Sequence, residues 1–334
     1  MRRRDILALA ASMAALRLPA AHAQQPPKRY RIALVAGQLP PDWREYSFWR
    51  AILNELRTAG YVEGQNVEIA AYSTEGRFER YDLLANDVVA GQPDVIIAGG
   101  NFVLYPLKSA TRTIPIVASM GDPLATGLVS SLAHPGDNFT GVSVDAGIEI
   151  YGKRLQILKA AVPSATRIAH LATRAWQEGP QRAQIAPLRA YASQLGVSLI
   201  EAYAADGSPN DVEAGFNAVA AQQPDGLLVS PEAELGAAAR LIGELAEKHR
   251  LPAIYPTRNY IERGSGLMAY APDPVELARQ LADRVKRVLG GTKAGDIPIY
   301  QATRFELTIN IRAARAIGLT IPPSLLARAD EVLE

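Results

Sequence analysis

Six short segments of this chain gather the side chains that could hold a small molecule. They are Gly37-Gln38-Leu39-Pro40-Pro41-Asp42-Trp43, Gly99-Gly100-Asn101-Phe102, Ser119-Met120-Gly121-Asp122, Thr173-Arg174-Ala175-Trp176, Ser230-Pro231-Glu232 and Tyr255-Pro256. Gly99 and Gly100 let the backbone approach a ligand closely, and the N–H groups of a helix opening after Asn101 would hold a carboxylate without any cation. Arg174 could add a bidentate contact to the same group. Asp122 or Glu232 could hold an ammonium, while Trp43, Phe102, Trp176 and Tyr255 offer flat apolar surface to a ring. Gln38, Ser119 and Ser230 complete the candidate set. An aromatic amino acid or an aromatic acid fits it. Each residue also has a plain structural reading: the double glycine as a tight turn, Asp122 as a cap, Glu232 as the acid of a first helical turn. What favours binding is the set, because all six segments follow apolar runs whose ends converge.

Catalytic signatures are missing from the sequence. It contains no GxSxG elbow, no GxxxxGK[ST] loop, no GxGxxG opening a helix and no HExxH. His134 precedes Pro135-Gly136 in a turn, His170 sits within an apolar run, and His249 ends a helical stretch where a basic residue complements the dipole. All three read as structural. Cysteine is absent, which removes thiol nucleophiles, zinc-thiolate sites and disulfides. An enzyme reading survives only through a carboxylate pair such as Asp122 and Glu232 meeting across a cleft. The expectation is a binding protein with no enzyme activity, no cofactor and no metal.

The segments are positioned by short Val- and Ile-rich runs alternating with helical periodicity, the pattern of a parallel sheet wrapped by helices. Strands are expected at 31–37, 66–72, 94–100 and 114–119, with helices over 44–59 and 78–90 between them. After 140–144 the alternation starts again, with strands near 167–172, 198–203, 225–230 and 252–255. The halves are too alike in rhythm, and too long together, for one open sheet. The fold class is α/β, with two doubly wound parallel-sheet lobes side by side. In such sheets the crevice lies beyond the carboxyl ends of the strands, where the six segments fall.

Met1 to Ala23 reads MRRRDILALAASMAALRLPAAHA, a basic start, a short apolar stretch and small residues at a processing site. That is the form of a secretory signal peptide, with Ala21 and Ala23 at the positions that must be small. The arginine run before Asp5-Ile6-Leu7 loosely resembles a twin-arginine signal, and both export routes stay open. Residues 24–29 read as a linker. The whole chain has 35 basic and 34 acidic residues; without the leader 31 and 33 remain. No polybasic cluster is present to neutralise phosphates, so nucleic acid is not an expected partner. The expected location is the periplasm.

Longer segments carry a family likeness: LRTAGYVEGQNVEI (56–69), DVIIAGG (94–100), TIPIVASMGDPLATGLVSSLAHPGDNFTGVS (113–143), GKRLQILKAAVPSATRIA (152–169), LPAIY (251–255), GLMAYAP (266–272) and the tail 305–334. With these the sequence resembles the ABC transporter substrate-binding protein family that includes tryptophan- and phenylalanine-binding receptors. Where many relatives place a hydroxyl residue after the double glycine, this chain has Asn101. The resemblance implies a type I periplasmic-binding-protein fold whose lobes are joined by three crossings and close like a hinge on a small-molecule ligand. The crossings would fall near Asp137 to Thr140, Tyr255 to Arg263 and Ile297 to Gln301. The first lobe would then comprise 30–138 and 262–297, the second 139–261 and 298–334, with helix 274–289 returning to the first lobe. The implied partner is an ABC permease in the inner membrane, and the implied state is a monomer.

Two other readings remain beside transport: an exported sensor that signals to a membrane receptor, and a small-molecule-sensing repressor of the same fold. A repressor needs a DNA-reading module, whereas residues 1–30 read as leader and linker. Protein recovered from the periplasm is expected to begin at Gln24 by intact mass. A mass that retains residues 1–23 would show an uncleaved anchor instead.

Overall fold

The computed structural model describes residues 28–334 apart from 38, 40, 41, 76, 146 and 205–207. The expected leader, residues 24–27 of the linker and Gln38 lie outside the described residues. In the first lobe, β1 (Tyr30–Ala36), α1 (Ser47–Thr58), β2 (Val67–Ser73), α2 (Tyr81–Ala90), β3 (Val95–Gly99), α3 (Asn101–Ala110), β4 (Ile116–Met120) and β5 (Phe139–Ser143) follow one another. Val95, Ile96, Ile97 and Ala98 of β3 are all buried, because helices cover both faces of the sheet. That double burial is why the strands read as unbroken apolar runs rather than as alternation.

The second lobe repeats the scheme. It contains α4 (Glu149–Ala161), β6 (Arg167–Thr173), α5 (Arg174–Glu178), α6 (Ile185–Gln194), β7 (Ser198–Ala204), α7 (Pro209–Ala220), β8 (Gly226–Val229), α8 (Ala233–Ala237), α9 (Ala239–Lys248), β9 (Ala253–Tyr255), α10 (Asn259–Glu262) and β10 (Met268–Pro272). The chain then forms α11 (Pro274–Leu289) and β11 (Tyr300–Gln301), and ends with β12 (Phe305–Asn310), α12 (Ile311–Ala316), α13 (Pro323–Leu326) and β13 (Glu331–Leu333).

The first sheet runs β11-β5-β4-β3-β1-β2 and the second β13-β12-β10-β9-β8-β6-β7. All pairings are parallel except β10 with β12. Both lobes therefore reverse strand order at a switch point, between β1 and β3 in the first and between β6 and β8 in the second. A ligand crevice opens at such a point. The loops there are those after Ala36, Gly99, Thr173 and Val229.

All three crossings fall later than the resemblance implied, and the expected lobe boundaries are corrected accordingly. β5 pairs with β4 in the first sheet, so the chain leaves at 144–148 and not near 137–140. β10 pairs with β9 and β12 in the second sheet, so the return lies at Asp273 and not between 255 and 263. β11 pairs with β5 in the first sheet, which puts the last crossing at 302–304. The reason is the open backbone edge that each sheet still offers at those strands. As expected, α11 packs on the first lobe, burying Leu277, Leu281, Val285 and Val288 against α1 and the sheet. Pro274 at its first turn and Asp273, whose carboxylate accepts from Val275 N–H at 2.8 Å, fix where the helix starts.

β4 and β5 approach so closely at Gly141 (φ 154°) that a Cβ there would collide with the carbonyl oxygen of Ala118 and lie 2.7 Å from its nitrogen. Gly141→Ala is expected to lower the melting temperature, at a cost of about 2–3 kcal/mol, the range of overpacking with backbone shift. A melting curve by circular dichroism matching the parent would show that the two strands can part freely.

Candidate ligand-binding site

The lobes meet over a cavity of ≈ 300 Å³ at the two switch points. Its first-lobe wall is formed by the opening of α1, by the loops after β3 and β4, and by Val144 and Asp145 after β5. The second lobe contributes Tyr151, Trp176, Gln184, Pro231, Glu232, Glu234, Gly236 and Ala237, and Pro256 to Tyr260.

Gly100 is the N-cap of α3 and has φ 94° and ψ 140°, a conformation that glycine adopts without strain. Its own N–H donates to Ser119 C=O at 3.0 Å, tying the β3 and β4 loops together. The first turn of α3 thus opens onto the cavity, and the N-terminus of a helix is a ready anion site. Asn101 does not reach across the cleft: its Oδ1 accepts from Gly121 N–H at 2.9 Å. A Cβ on Gly121 would stand 3.1 Å from Asn101 Nδ2 and 3.3 Å from Asp145 Oδ2, so the α3 opening and the Asp145 carboxylate are neighbours.

Asp145 is 4% exposed, and its Oδ1 accepts no hydrogen bond. Arg154 Nη1 stands 3.9 Å away, too long for a hydrogen bond, because Arg154 is held elsewhere by the carbonyls of Tyr270 and Pro256. Burial pushes the Asp145 carboxyl up to about 6 against the pull of Arg154, with Asp122 adding to the rise. Glu232 is buried too. Its Oε1 accepts from Thr173 N–H at 2.9 Å and Thr173 Oγ1 at 2.7 Å, and its Oε2 pairs with Ser230 Oγ. Burial outweighs those bonds and pushes its carboxyl up to about 8, so the side chain is largely protonated at neutral pH. Glu234 also lines the cavity, paired through Oε1 with the Tyr81 hydroxyl.

Aromatic surface comes from both lobes. Trp49 lies over the backbone at Gly99, where a Cβ would be 3.6 Å from its ring, and Phe48 packs on it edge-on at 5.1 Å. Phe102 on the first lobe packs into the same apolar cluster as Trp176 on the second. Behind Trp176 stands His170, edge-on at 4.8 Å and 72°, fully buried, with burial pushing its ring down to about 3. A neutral imidazole braces the indole from behind.

Of the residues expected from sequence, Gly99, Gly100, Asn101, Phe102, Ser119, Asp122, Trp176 and Glu232 line the cavity. Four stand away from its wall. Trp43 is buried behind Trp49, edge-on at 6.2 Å, in a short 3-10 turn ahead of α1. Arg174 is exposed at the start of α5. Ser230 is buried and pairs with Glu232, and Tyr255 is buried in the second lobe, stacked on Tyr260 at 4.5 Å. Asp122 lines the rim but serves as a turn cap, accepting from Leu124 N–H at 3.0 Å and Ala125 N–H at 3.1 Å. Sequence reasoning missed Trp49, Asp145, Tyr151 and Glu234. Trp49 was hidden in the opening of an amphipathic helix, and Asp145 behind a strand assigned to the other lobe. Among the described residues no cluster of His, Asp or Glu is arranged to hold a metal ion, and no helix is long and apolar enough to cross a membrane.

A tyrosine-binding protein of Clostridioides difficile (strain R20291) is 24% identical over 271 residues, covering 81% of this chain and 76% of its own length. A conserved domain protein from Vibrio cholerae shares the fold at a TM-score of 0.80 and 26% identity, over 91% of this chain and 100% of that one. An ABC domain from Streptococcus pneumonia in complex with L-Trp does so at a TM-score of 0.79 and 22% identity, over 92% and 100%. Residues 46–333 match the family model for ABC transporter substrate binding protein, and the chain belongs to that family.

Proposed function

We propose that this chain is the periplasmic receptor of an ABC-type uptake system and that its ligand is an α-amino acid with a flat, aromatic side chain. The observation that carries the reading is the pairing of the α3 opening with the unsatisfied Asp145 carboxylate inside an aromatic-lined cavity. An α-amino acid presents a carboxylate and an ammonium one carbon apart. The first turn of α3 takes the carboxylate through N–H groups and the helix dipole. Asp145 takes the ammonium in a charge-assisted bond to its free Oδ1. The side chain then lies among Trp49, Phe102 and Trp176, which belong to both lobes. The cavity volume of ≈ 300 Å³ is at the small end of ligand pockets, about 300–1,000 Å³, as an amino acid requires.

A relative named for tyrosine and a neighbour solved with L-Trp support this ligand class. The leader-like N-terminus supports the periplasm, and the family supports a single chain delivering its ligand to a permease. Binding groups on both lobes mean that the closed form is the one with the higher affinity.

Isothermal titration is expected to show one site per chain for an aromatic amino acid and none for L-alanine. Trp176→Ala should weaken it about tenfold, since a ring contact is worth about 0.5–1.5 kcal/mol beyond its area. Variants that fold by circular dichroism and keep the parent affinity would remove Trp176 from the site.

The same reading fixes a pH dependence. Ligand ammonium needs Asp145 ionised, and in the free protein its carboxyl titrates at about 6 with Arg154 and Asp122 as its charged neighbours. Affinity should therefore be nearly flat above pH 7 and fall as pH drops through 6, approaching tenfold per unit. Asp145→Asn should abolish that slope and weaken binding by about ten- to a hundredfold. A slope that survives in Asp145→Asn would assign the proton elsewhere.

A further inference from the structure

A buried hydrogen bond joins the lobes beside the cavity. Tyr81, the first residue of α2 in the first lobe, is 5% exposed, and its hydroxyl donates to Glu234 Oε1 on α8 of the second lobe, which is 2% exposed. Beside it, the buried Asp145 and Arg154 face each other at 3.9 Å where the chain crosses, and further polar contacts between lobes lie at the rim. There Ser47 Oγ donates to Glu262 Oε2 at 3.2 Å, and Arg263 lies 4.3 Å over the Tyr46 ring.

Three features make the Tyr81 contact look built. Gly37, at the end of β1, leaves the space for it: a Cβ there would collide with the Tyr81 hydroxyl and lie 2.7 Å from Glu234 Oε1. The Gly37 carbonyl is pinned in turn by Thr74 Oγ1 at 2.8 Å. The second oxygen, Glu234 Oε2, is buried and accepts no hydrogen bond, in a residue that lines the cavity. A buried acceptor left open costs about 1–3 kcal/mol, so this one awaits a donor. Burial also keeps the Tyr81 phenol protonated, and therefore a donor to the carboxylate.

Position tells which donor. Glu234 meets the first lobe above β1, whereas Asp145 follows β5, and β4 and β3 lie between those strands. Asp145 Oδ2 lies beside Gly121 at the end of β4 and Glu234 Oε1 beside Gly37 at the end of β1, so the two acids face the first lobe over different strands, with β3, the α3 opening and Trp49 between them. A ligand whose head group meets Asp145 reaches Glu234 with the far end of its side chain.

We propose that Glu234 reads a hydrogen-bond donor at the far end of the ligand side chain, a ring hydroxyl or indole N–H, through Oε2, while Oε1 latches the lobes through Tyr81. Recognition and closure then share one carboxylate: a ligand with such a donor fixes Glu234 in the rotamer that Tyr81 needs. This rests on the amino-acid reading above.

The test titrates the mature chain with L-tyrosine and L-phenylalanine, which differ by one hydroxyl. The parent protein is expected to bind L-tyrosine at least tenfold more tightly. Glu234→Gln, whose one remaining oxygen is taken by Tyr81 so that an NH2 faces the ligand, should bring the two within about threefold of each other. Tyr81→Phe and Gly37→Ala should weaken both ligands and reduce the ligand-induced fall in radius of gyration measured by small-angle scattering. Equal affinities in the parent, or an undiminished preference in folded Glu234→Gln, overturn the reading role of Glu234. Parent-like scattering and affinity in Tyr81→Phe overturn the latch. If neither amino acid binds the parent, nor any other aromatic one, the amino-acid reading fails and this inference falls with it.

Discussion

A carboxylate taken out of water has to be paired, hydrogen-bonded or protonated, and between these lobes three are taken out of water together. Glu232 is satisfied by Thr173 and Ser230 and by keeping its proton. Asp145 is half satisfied, with Arg154 near but committed to backbone carbonyls. Glu234 is half satisfied by Tyr81. The oxygens left open belong to residues of the cavity wall. Their cost exists only when the lobes are shut over them, because an open cleft would let water in. A ligand that supplies donors therefore interacts more favourably with the closed form than with the open one, which is the differential affinity that a population shift requires.

The fold makes that arrangement possible by doing the same thing twice. Each lobe reverses its strand order between a first strand and a third, β1 and β3 in one, β6 and β8 in the other. Each reversal leaves a gap between helices at the carboxyl ends of the strands. Because the lobes face one another, Gly99-Gly100 and the α3 opening lie opposite Trp176 and Pro231-Glu232. The crossings fix the hinge side. Ser143 Oγ and Gln301 Nε2 both donate to the Asp145 backbone carbonyl, from β5 and β11. Asp145, a residue of the cavity wall, is therefore anchored where the chain leaves the first sheet.

Much of this was legible in sequence. Doubly buried parallel strands read as Val- and Ile-rich runs, and the loops after them read as the site, because strand direction and the switch-point rule leave few other choices. Side-chain direction within those loops was not legible. Trp43 and Trp49 lie six residues apart, and only the short 3-10 turn at Trp43–Glu45 decides that the first lies behind the second. Tyr255 ends β9, where alternation turns it into the core beneath Tyr260. Arg174 opens a five-residue helix whose burial is taken by Trp176, leaving the guanidinium outside. The crossings were misplaced because short edge strands such as Tyr300–Gln301 have no strong pattern of their own; they form because a neighbouring edge is open. Tyr81 and Glu234 are 153 positions apart, and no periodicity links them.

Aromatic walls and polar ends divide the work of recognition unequally. Burial of a ring among Trp49, Phe102 and Trp176 is nearly the same for every flat side chain, since apolar burial scales with area and has little direction. Such a wall does not by itself tell one flat side chain from another. Choice within the class has to come from groups whose satisfaction depends on one atom of the ligand. A site built around a hydrogen bond rejects the analogue that lacks it far more strongly than an apolar pocket rejects an added group, because the unmatched partner stays buried and unpaired. The open oxygens of Asp145 and Glu234 are that kind of partner, both on residues of the cavity wall. On the proposed reading length and polarity are measured together: a ligand that reaches both acids relieves both, and a closed pair of lobes keeps both out of water.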